Sequence, residues 1–151
     1  MRRFLSNRSG FTLVELLVVM GILAILLTIV LIAINPARQF SQANNTKRRS
    51  DVAAILNAIN QYASDNRGAL PAGITTTVQT ISNTAANICA AMVPRYLAAL
   101  PTDPSLNTPA GISNCAVAYS TGYNVVQSAT DNRVTLSAPS AELGETILVT
   151  R

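Results

Sequence analysis

Glu15 is the only ionisable residue in the almost wholly apolar run of 24 residues from Phe11 to Ile34. The run is long enough to span a membrane, because a helix rising about 1.5 Å per residue needs about 20 apolar residues to cross the hydrocarbon layer. A carboxylate at the centre of such a helix costs about 2.5–3.5 kcal/mol on insertion scales, so it normally has a partner. The chemistry open to Glu15 is therefore pairing with a positive group.

A basic leader precedes the apolar run. It holds three arginines: Arg2, Arg3 and Arg8. A secretory signal has its small-residue cleavage site after the apolar region, whereas here the small residue, Gly10, comes before it. Cleavage after Gly10 keeps the apolar helix and creates a cationic amine on Phe11. The carboxylate of Glu15 then lies one helical turn from that amine, or meets the amine of a neighbouring molecule in a helical bundle.

The stretch from Gly10 to Leu17, GFTLVELL, resembles the prepilin leader of type IV pilins and of the pseudopilins of type II secretion systems. The resemblance implies that prepilin peptidase cuts after Gly10 and methylates the new amino terminus on Phe11, and that Glu15 docks subunits. It also implies other partners: membrane lipid before assembly, an inner-membrane assembly platform, and identical or related pilin subunits in a helical filament. The alternative is a signal-anchor helix with Glu15 near the headgroups.

Basic residues also follow the run, at Arg38 and in the triplet Lys47-Arg48-Arg49. Charge bias alone therefore does not fix the topology. The resemblance does, and implies a single-pass protein of the inner (cytoplasmic) membrane that later enters a cell-surface or periplasmic filament. A basic run is usually a solvated face, so we expect the triplet to face solvent or neighbouring subunits and predict no specific nucleic-acid partner.

The composition argues against catalysis. The chain of 151 residues has no histidine, which removes the commonest general base and a frequent metal ligand. The net charge of +4 includes the three leader arginines and falls to +1 without them. No phosphate-binding glycine loop, zinc-ligand motif or nucleophile elbow occurs, so we predict no enzyme activity and no cofactor.

A calcium site is the metal site to weigh, because major pseudopilins commonly bind calcium near the C-terminal loop. Calcium takes six to eight oxygens, normally with several carboxylates. Here Asp131, Glu142 and Glu145 are scattered, so we predict no metal site.

Two cysteines, Cys89 and Cys115, both follow the apolar run. A pair beyond a membrane anchor favours a disulfide in an oxidising compartment. Two reduced, buried cysteines acting as small apolar residues are the alternative.

The segments predict an α+β fold with three parts: leader 1–10, transmembrane and assembly helix 11–35, and a periplasmic or extracellular head 36–151. Pro36 either kinks the helical run or begins a second helix. Residues 38–66 predict an amphipathic helix that ends near Gly68. One apolar stripe follows it at three- and four-residue spacing: Val52, Ile55, Leu56, Ile59, Tyr62 and Ala63.

The C-terminal part predicts a small antiparallel sheet. Residues 69–87 read as a loop with a short strand or helix near Thr77–Ile81, followed by a helix over Ala85–Leu100. A β-meander over 116–137 is expected from three segments: Ala116–Tyr119, Gly122–Ser128 and Arg133–Ser137. Ile147–Val149 is either an edge strand or a tail. A long helix, half membrane-spanning and half amphipathic, packed on such a sheet is pilin-like.

These features favour a structural subunit of a type IV pilus or related filament, which polymerises through its N-terminal hydrophobic helix after leader cleavage. A major or minor pseudopilin of a type II secretion system is the alternative within the same class. A monomeric membrane-anchored binding module, with its contact surface in the loops from Cys89 to Cys115, is an alternative outside that class.

Overall fold

The computed structural model describes residues 10–106, 108 and 111–151. It has an α+β architecture, which confirms the predicted fold class, and it divides into two compact units between Gln39 and Phe40. The elements of the chain are α1 Leu13–Ile34, α2 Pro36–Asp65, β1 Gln79–Ser82, α3 Cys89–Met92, β2 Ser120–Gln127, β3 Val134–Ala138 and β4 Ile147–Thr150.

Helix α1 has 22 residues and no buried side chain. Among the described helices it is the one long and apolar enough to cross a membrane. It ends at Ile34 because Asn35 takes the left-handed conformation, with φ of 45°. Pro36 is the first residue of α2, a position where its missing N–H costs no helical hydrogen bond.

Helix α2 supplies the central face of the hydrophobic core in the second unit. The four buried members of its predicted stripe, Val52, Ile55, Leu56 and Ile59, are fully inaccessible, and Tyr62 packs beside them. The amphipathic helix is thus confirmed, with bounds within two residues of the expected 38–66. Beyond its end, Gly68 has φ of 88° and its N–H donates to the carbonyl of Ala63 at 2.7 Å.

The sheet has four antiparallel strands in the order β1-β2-β3-β4. Its inward side chains alternate with half-buried ones along β3, where Val134, Leu136 and Ala138 are buried. The hairpin β2–β3 was expected, and β4 is an edge strand rather than a tail.

The prediction of a strand over Ala116–Tyr119 is wrong. The first strand of the sheet is instead β1, from the segment near Thr77–Ile81 for which a short strand was one expectation. Asn114 accepts a hydrogen bond from the N–H of Ala116 at 3.0 Å, which turns the chain before β2 begins.

The prediction of a helix over Ala85–Leu100 is also wrong, because only Cys89–Met92 are helical. Pro94 lies two residues after Met92 and has no N–H to donate, so the helix cannot continue through it. The chain then passes through turns to Leu100, which pairs with Ile112 as an isolated bridge.

Candidate functional site

Glu15 closes a capping box at the start of α1. Its carboxylate accepts hydrogen bonds from the backbone N–H of Thr12 at 3.1 Å and from the Thr12 hydroxyl at 3.0 Å. In return the hydroxyl oxygen of Thr12 accepts from the N–H of Glu15 at 3.2 Å. Two otherwise unpaired donors of the first helical turn are thereby satisfied. Before the Gly10–Phe11 bond is cleaved, Thr12 therefore provides the hydrogen-bond donors to the carboxylate of Glu15.

The predicted cleavage bond lies just outside the helix. Gly10 and Phe11 precede α1 and are exposed, and Thr12 at the N-cap is extended, with φ of −78° and ψ of 151°. A peptidase needs an accessible, non-helical bond, and this segment provides one. In the sequence, Phe11 lies four residues before Glu15 and directly before the N-cap Thr12. The remainder of the leader lies outside the described residues.

A second polar cluster surrounds Arg48, which is 1% exposed. Its guanidinium donates to both carboxylate oxygens of Asp103, from Nε at 2.8 Å and from Nη2 at 3.1 Å. Its Nη1 donates to Glu142 at 3.1 Å and to Asn45 at 3.0 Å. The expectation that the basic triplet faces solvent is therefore wrong for Arg48, because two carboxylates and an amide replace the water that its charge loses.

The other two members of the triplet are indeed exposed, Lys47 to 46% and Arg49 to 55% of their side chains. Lys47 donates to Asp51 at 2.6 Å, and the hydroxyl of the buried Tyr123 donates to the same carboxylate at 2.8 Å. Arg49 pairs with Glu145. Lys47 also donates to the carbonyl of Thr102 at 3.0 Å, so all three members of the triplet bind loops of their own unit.

The amide of Asn45 ties down the backbone of the segment after β3. It donates to the carbonyl of Glu142 at 2.8 Å and accepts from the N–H of Glu142 at 2.9 Å. The side chain of Glu142 also accepts from Asn44 at 3.0 Å. Hydrogen bonds from Ser41, Asn44 and Arg48 hold the pKa of Glu142 below its ordinary value.

Burial alone would raise the pKa of Asp103, but the charged and polar donors around it outweigh that effect. Besides Arg48, the N–H and the hydroxyl of Ser105 donate to its carboxylate at 2.9 Å and 2.6 Å. The result is a lowered pKa, so Asp103 stays ionised opposite Arg48.

Cys89 and Cys115 are joined by a disulfide, with their Cα atoms 5.5 Å apart. Cys89 is buried in the core, where its N–H donates to the hydroxyl of Tyr119 at 3.3 Å. The bridge closes the loop that carries Asp103 to Arg48.

The three acids weighed for calcium do not converge. Glu142 pairs with Arg48 and Glu145 pairs with Arg49, while Asp131 accepts from the N–H of Arg133. Within residues 10–106, 108 and 111–151, no three acidic or cysteine side chains gather as metal ligands would.

Comparison with family models gives one result that bears on this site. Residues 5–31 match the model described as the prokaryotic N-terminal methylation motif. The chain therefore carries, at its N-terminus, the signature of the prepilin-type leader found in type IV pilins and pseudopilins. Searches of curated proteins and of solved structures gave no match.

The motif has general consequences for how the chain is used. It implies processing by prepilin peptidase and assembly with other pilin subunits, and together with the exposed apolar helix it suits membrane anchoring. The family that bears it is structural rather than catalytic. The buried Arg48 cluster lies outside the match, and sequence reasoning missed it.

Proposed function

We propose that this chain is a structural subunit of a type IV pilus or a related filament, and that it polymerises through α1 after removal of residues 1–10. The observation that carries the proposal is the carboxylate of Glu15. It lies about one helical turn after the Gly10–Phe11 bond, in the first turn of a helix with no buried side chain. In this proposal residues 11–35 form the assembly helix and 36–151 the head.

The mechanism follows from the cost of burying a charge. In the membrane, Glu15 keeps its two hydrogen bonds from Thr12. In a packed bundle of such helices, the cleaved amine of Phe11 on a neighbouring subunit offers the same carboxylate a full positive charge. A buried charge without a partner costs several kcal/mol, so this pairing fixes the axial register of the subunits. The apolar remainder of α1 exchanges lipid for similar apolar neighbours.

A pseudopilin of a type II secretion system is the alternative within the class. Two of the three acids weighed for calcium, Glu142 and Glu145, are already paired with arginines. That pairing favours the pilus subunit over a calcium-binding pseudopilin. Adding Ca²⁺ to the purified protein and finding a higher unfolding midpoint would reverse this preference.

The proposal is tested by replacing Glu15 with the isosteric neutral residue, Glu15→Gln, and with alanine. Both variants are expected to insert into the membrane and to lose the leader normally, yet to form no filaments, because the neighbour's amine has no carboxylate to meet. Thr28→Ala is the control, since it removes a hydroxyl from the same helix that bonds only to the carbonyl of Ala24. Normal filaments from Glu15→Gln would refute the proposed role.

Processing is tested on the same preparations by mass measurement. The chain taken from filaments is expected to start at Phe11 and to carry one added methyl group, whereas Gly10→Val should retain its leader and remain in the membrane. Filaments built from chains with the leader attached would contradict the proposal. A monomeric anchored module would show no filaments in any of these preparations.

A further inference from the structure

Phe40 is an aromatic side chain that the head leaves exposed. It is 71% exposed, more than any other large apolar residue that the structure describes within 36–151. It belongs neither to the core cluster nor to the partly buried residues that pack against that cluster. Ala43, three residues further along α2, is also exposed and lies on the same face of the helix. Helix α2 therefore begins with an apolar face that does not contribute to the core of the head.

The chain around Phe40 carries positive charge without negative charge. No Asp or Glu occurs between Glu15 and Asp51, and Arg38 precedes Phe40 by two residues. Arg38 is exposed, and among the residues that the structure describes it has no ion-pair partner. A guanidinium presents its N–H donors in a planar fork that matches the oxygens of a phosphate group. The segment 38–43 thus offers one large apolar side chain and one cation suited to phosphate.

Counting residues from Glu15 gives the depth at which Phe40 lies in a bilayer. A carboxylate is costly inside hydrocarbon, so Glu15 marks one edge of that layer. The next 20 residues, 16–35, extend about 30 Å as a helix, which is about the thickness of the hydrocarbon layer. Phe40 follows five residues later, about 7.5 Å further along, and the headgroup region is about 5–7.5 Å thick on each side. Arg38 and Phe40 therefore both fall in the headgroup region.

This region of a bilayer suits both side chains. At the boundary between headgroups and acyl chains, an interfacial helix buries its aromatic and aliphatic residues and keeps its basic residues among the lipid phosphates. A long basic side chain also extends its charged end toward the headgroups. The same lipid is continuous with the layer around α1, which has no buried side chain and suits membrane anchoring. Position, charge and continuity with the span therefore favour a lipid surface as the partner of this segment.

We propose that the segment 38–43 binds the surface of a phospholipid bilayer, with Phe40 inserted at the edge of the acyl chains and the guanidinium of Arg38 on a lipid phosphate. The inference goes beyond the proposed function, because it concerns the chain in the membrane before assembly and does not depend on polymerisation. A contact at this end of the span fixes how deeply α1 sits in the bilayer. It thereby keeps Glu15 at the opposite headgroup region.

Tryptophan fluorescence tests the lipid contact. The chain has no tryptophan, so a single introduced one reports on its own surroundings. The full-length chain with Phe40→Trp is reconstituted in vesicles of phosphatidylcholine and phosphatidylglycerol, with lipids brominated in the upper part of the acyl chains as quenchers. We expect its emission to be blue-shifted from that of tryptophan in water and to be strongly quenched by the brominated lipids.

Two matched variants serve as controls. Val78→Trp replaces another apolar residue of the head, which is 65% exposed, and its emission should be water-like and quenched at least several-fold less than that of Phe40→Trp. Leu23→Trp lies in α1 and should be quenched by lipids brominated deep in the acyl chains. Water-like, unquenched emission from Phe40→Trp beside a quenched Leu23→Trp would overturn the inference, and so would equal quenching of Val78→Trp. An unquenched Leu23→Trp would overturn membrane anchoring and the inference with it.

A second copy of the chain is the competing occupant of the exposed Phe40. Reconstitution at fewer than one chain per vesicle removes contacts between copies and leaves contacts with lipid unchanged. We therefore expect the blue shift and the quenching of Phe40→Trp to persist at this dilution. A blue shift that disappears on dilution would assign Phe40 to a contact between copies and would overturn the inference.

The role of Arg38 is tested in the Phe40→Trp chain. Adding Arg38→Glu places a negative charge among the lipid phosphates, so quenching should fall several-fold, whereas Arg38→Lys keeps the positive charge and should retain most of it. Unchanged quenching with Arg38→Glu would contradict the role of the guanidinium. The filament test of Glu15→Gln is independent of these measurements, so a failure here leaves the proposed function standing.

Discussion

Arg48 and Arg49 are adjacent arginines that each bind a carboxylate, but in different surroundings. Arg48 is 1% exposed and holds Asp103, itself fully buried, in two hydrogen bonds, whereas Arg49 and its partner Glu145 lie at the surface. An exposed pair contributes little because water and salt screen it, whereas a buried pair becomes a large liability once one partner is lost.

We expect Arg48→Met to lower the free energy of unfolding by about 3–5 kcal/mol, because it leaves the carboxylate of Asp103 buried without its charge partner. Arg49→Met should lower it by no more than about 1 kcal/mol. Urea unfolding of the detergent-solubilised chain measures both, with tyrosine fluorescence as the signal. Equal effects of the two substitutions would mean that burial does not determine how much Arg48 contributes to the free energy of unfolding.

The same cluster makes the head sensitive to acid. The folded pKa values of Asp103 and Glu142 lie below their ordinary values of 3.8 and 4.5. The stability that these groups contribute is therefore complete above the ordinary pKa values and is lost as the pH falls through the lower, folded values. The urea midpoint should fall steeply below about pH 4, and Arg48→Met should flatten that fall. A midpoint that does not change between pH 6 and pH 3 would contradict this.

The burial of Arg48 was predictable in principle from its position in the helix. It lies four residues before Val52 and so extends the apolar stripe by one turn. The basic triplet hid this signal, because a run of three cations usually marks a solvated face. The partners, Asp103 and Glu142, are 55 and 94 residues away in the chain, and nothing local in the sequence indicates that they meet there.

Among the elements, α2 contributes five buried residues to the core of the head: Val52, Ile55, Leu56, Ala58 and Ile59. Ile55 and Leu56 are fully buried, and the apolar side chains of β2 and β3 pack in the same cluster. Truncating such a residue loses its transfer free energy and leaves a cavity that the surroundings fill only partly.

We expect Ile55→Ala to destabilise the head by about 2–5 kcal/mol. Gln61→Ala, an exposed position on the same helix, should change stability by less than about 0.5 kcal/mol. The urea midpoint of tyrosine fluorescence measures both effects. Similar shifts for the two variants would show that burial of Ile55 against the core does not contribute to the stability of the head.

The elements that could be predicted from the sequence are those in which apolar residues recur at a regular spacing. The stripe of α2 and the hairpin β2–β3 each repeat a pattern long enough to identify the element. Cys89–Met92 and the turns after it were harder, because Pro94 interrupts a stretch whose composition otherwise suits a helix. β1 has only four residues, and its place beside β2 depends on a pairing about 40 residues away that no local pattern records.

At the scale of the whole molecule, the chain is two units with separate sources of stability. The core cluster of the head contains no residue of α1 among those that the structure describes, and α1 buries none of its own side chains. All four tyrosines lie between residues 62 and 123, and the chain has no tryptophan. Tyrosine fluorescence is therefore a signal from the head alone.

We expect Glu15→Gln and Leu23→Ala to leave the urea midpoint of this signal unchanged, because neither residue belongs to the buried core cluster of the head. Leu23 is one of the exposed apolar residues of α1. The comparison is made on detergent-solubilised, unassembled chains, with Ile55→Ala as the positive control. A shift of the midpoint by either α1 substitution would show that the two units share their stability.

The guanidinium of Arg48 has one further consequence. It joins α2 to the segments around Asp103 and Glu142, so neither segment can lift away without breaking bonds to a group that the core encloses. We therefore expect the two loops and the helix to open together, so that deuterium enters their amides and proteases reach their peptide bonds only when the whole head unfolds.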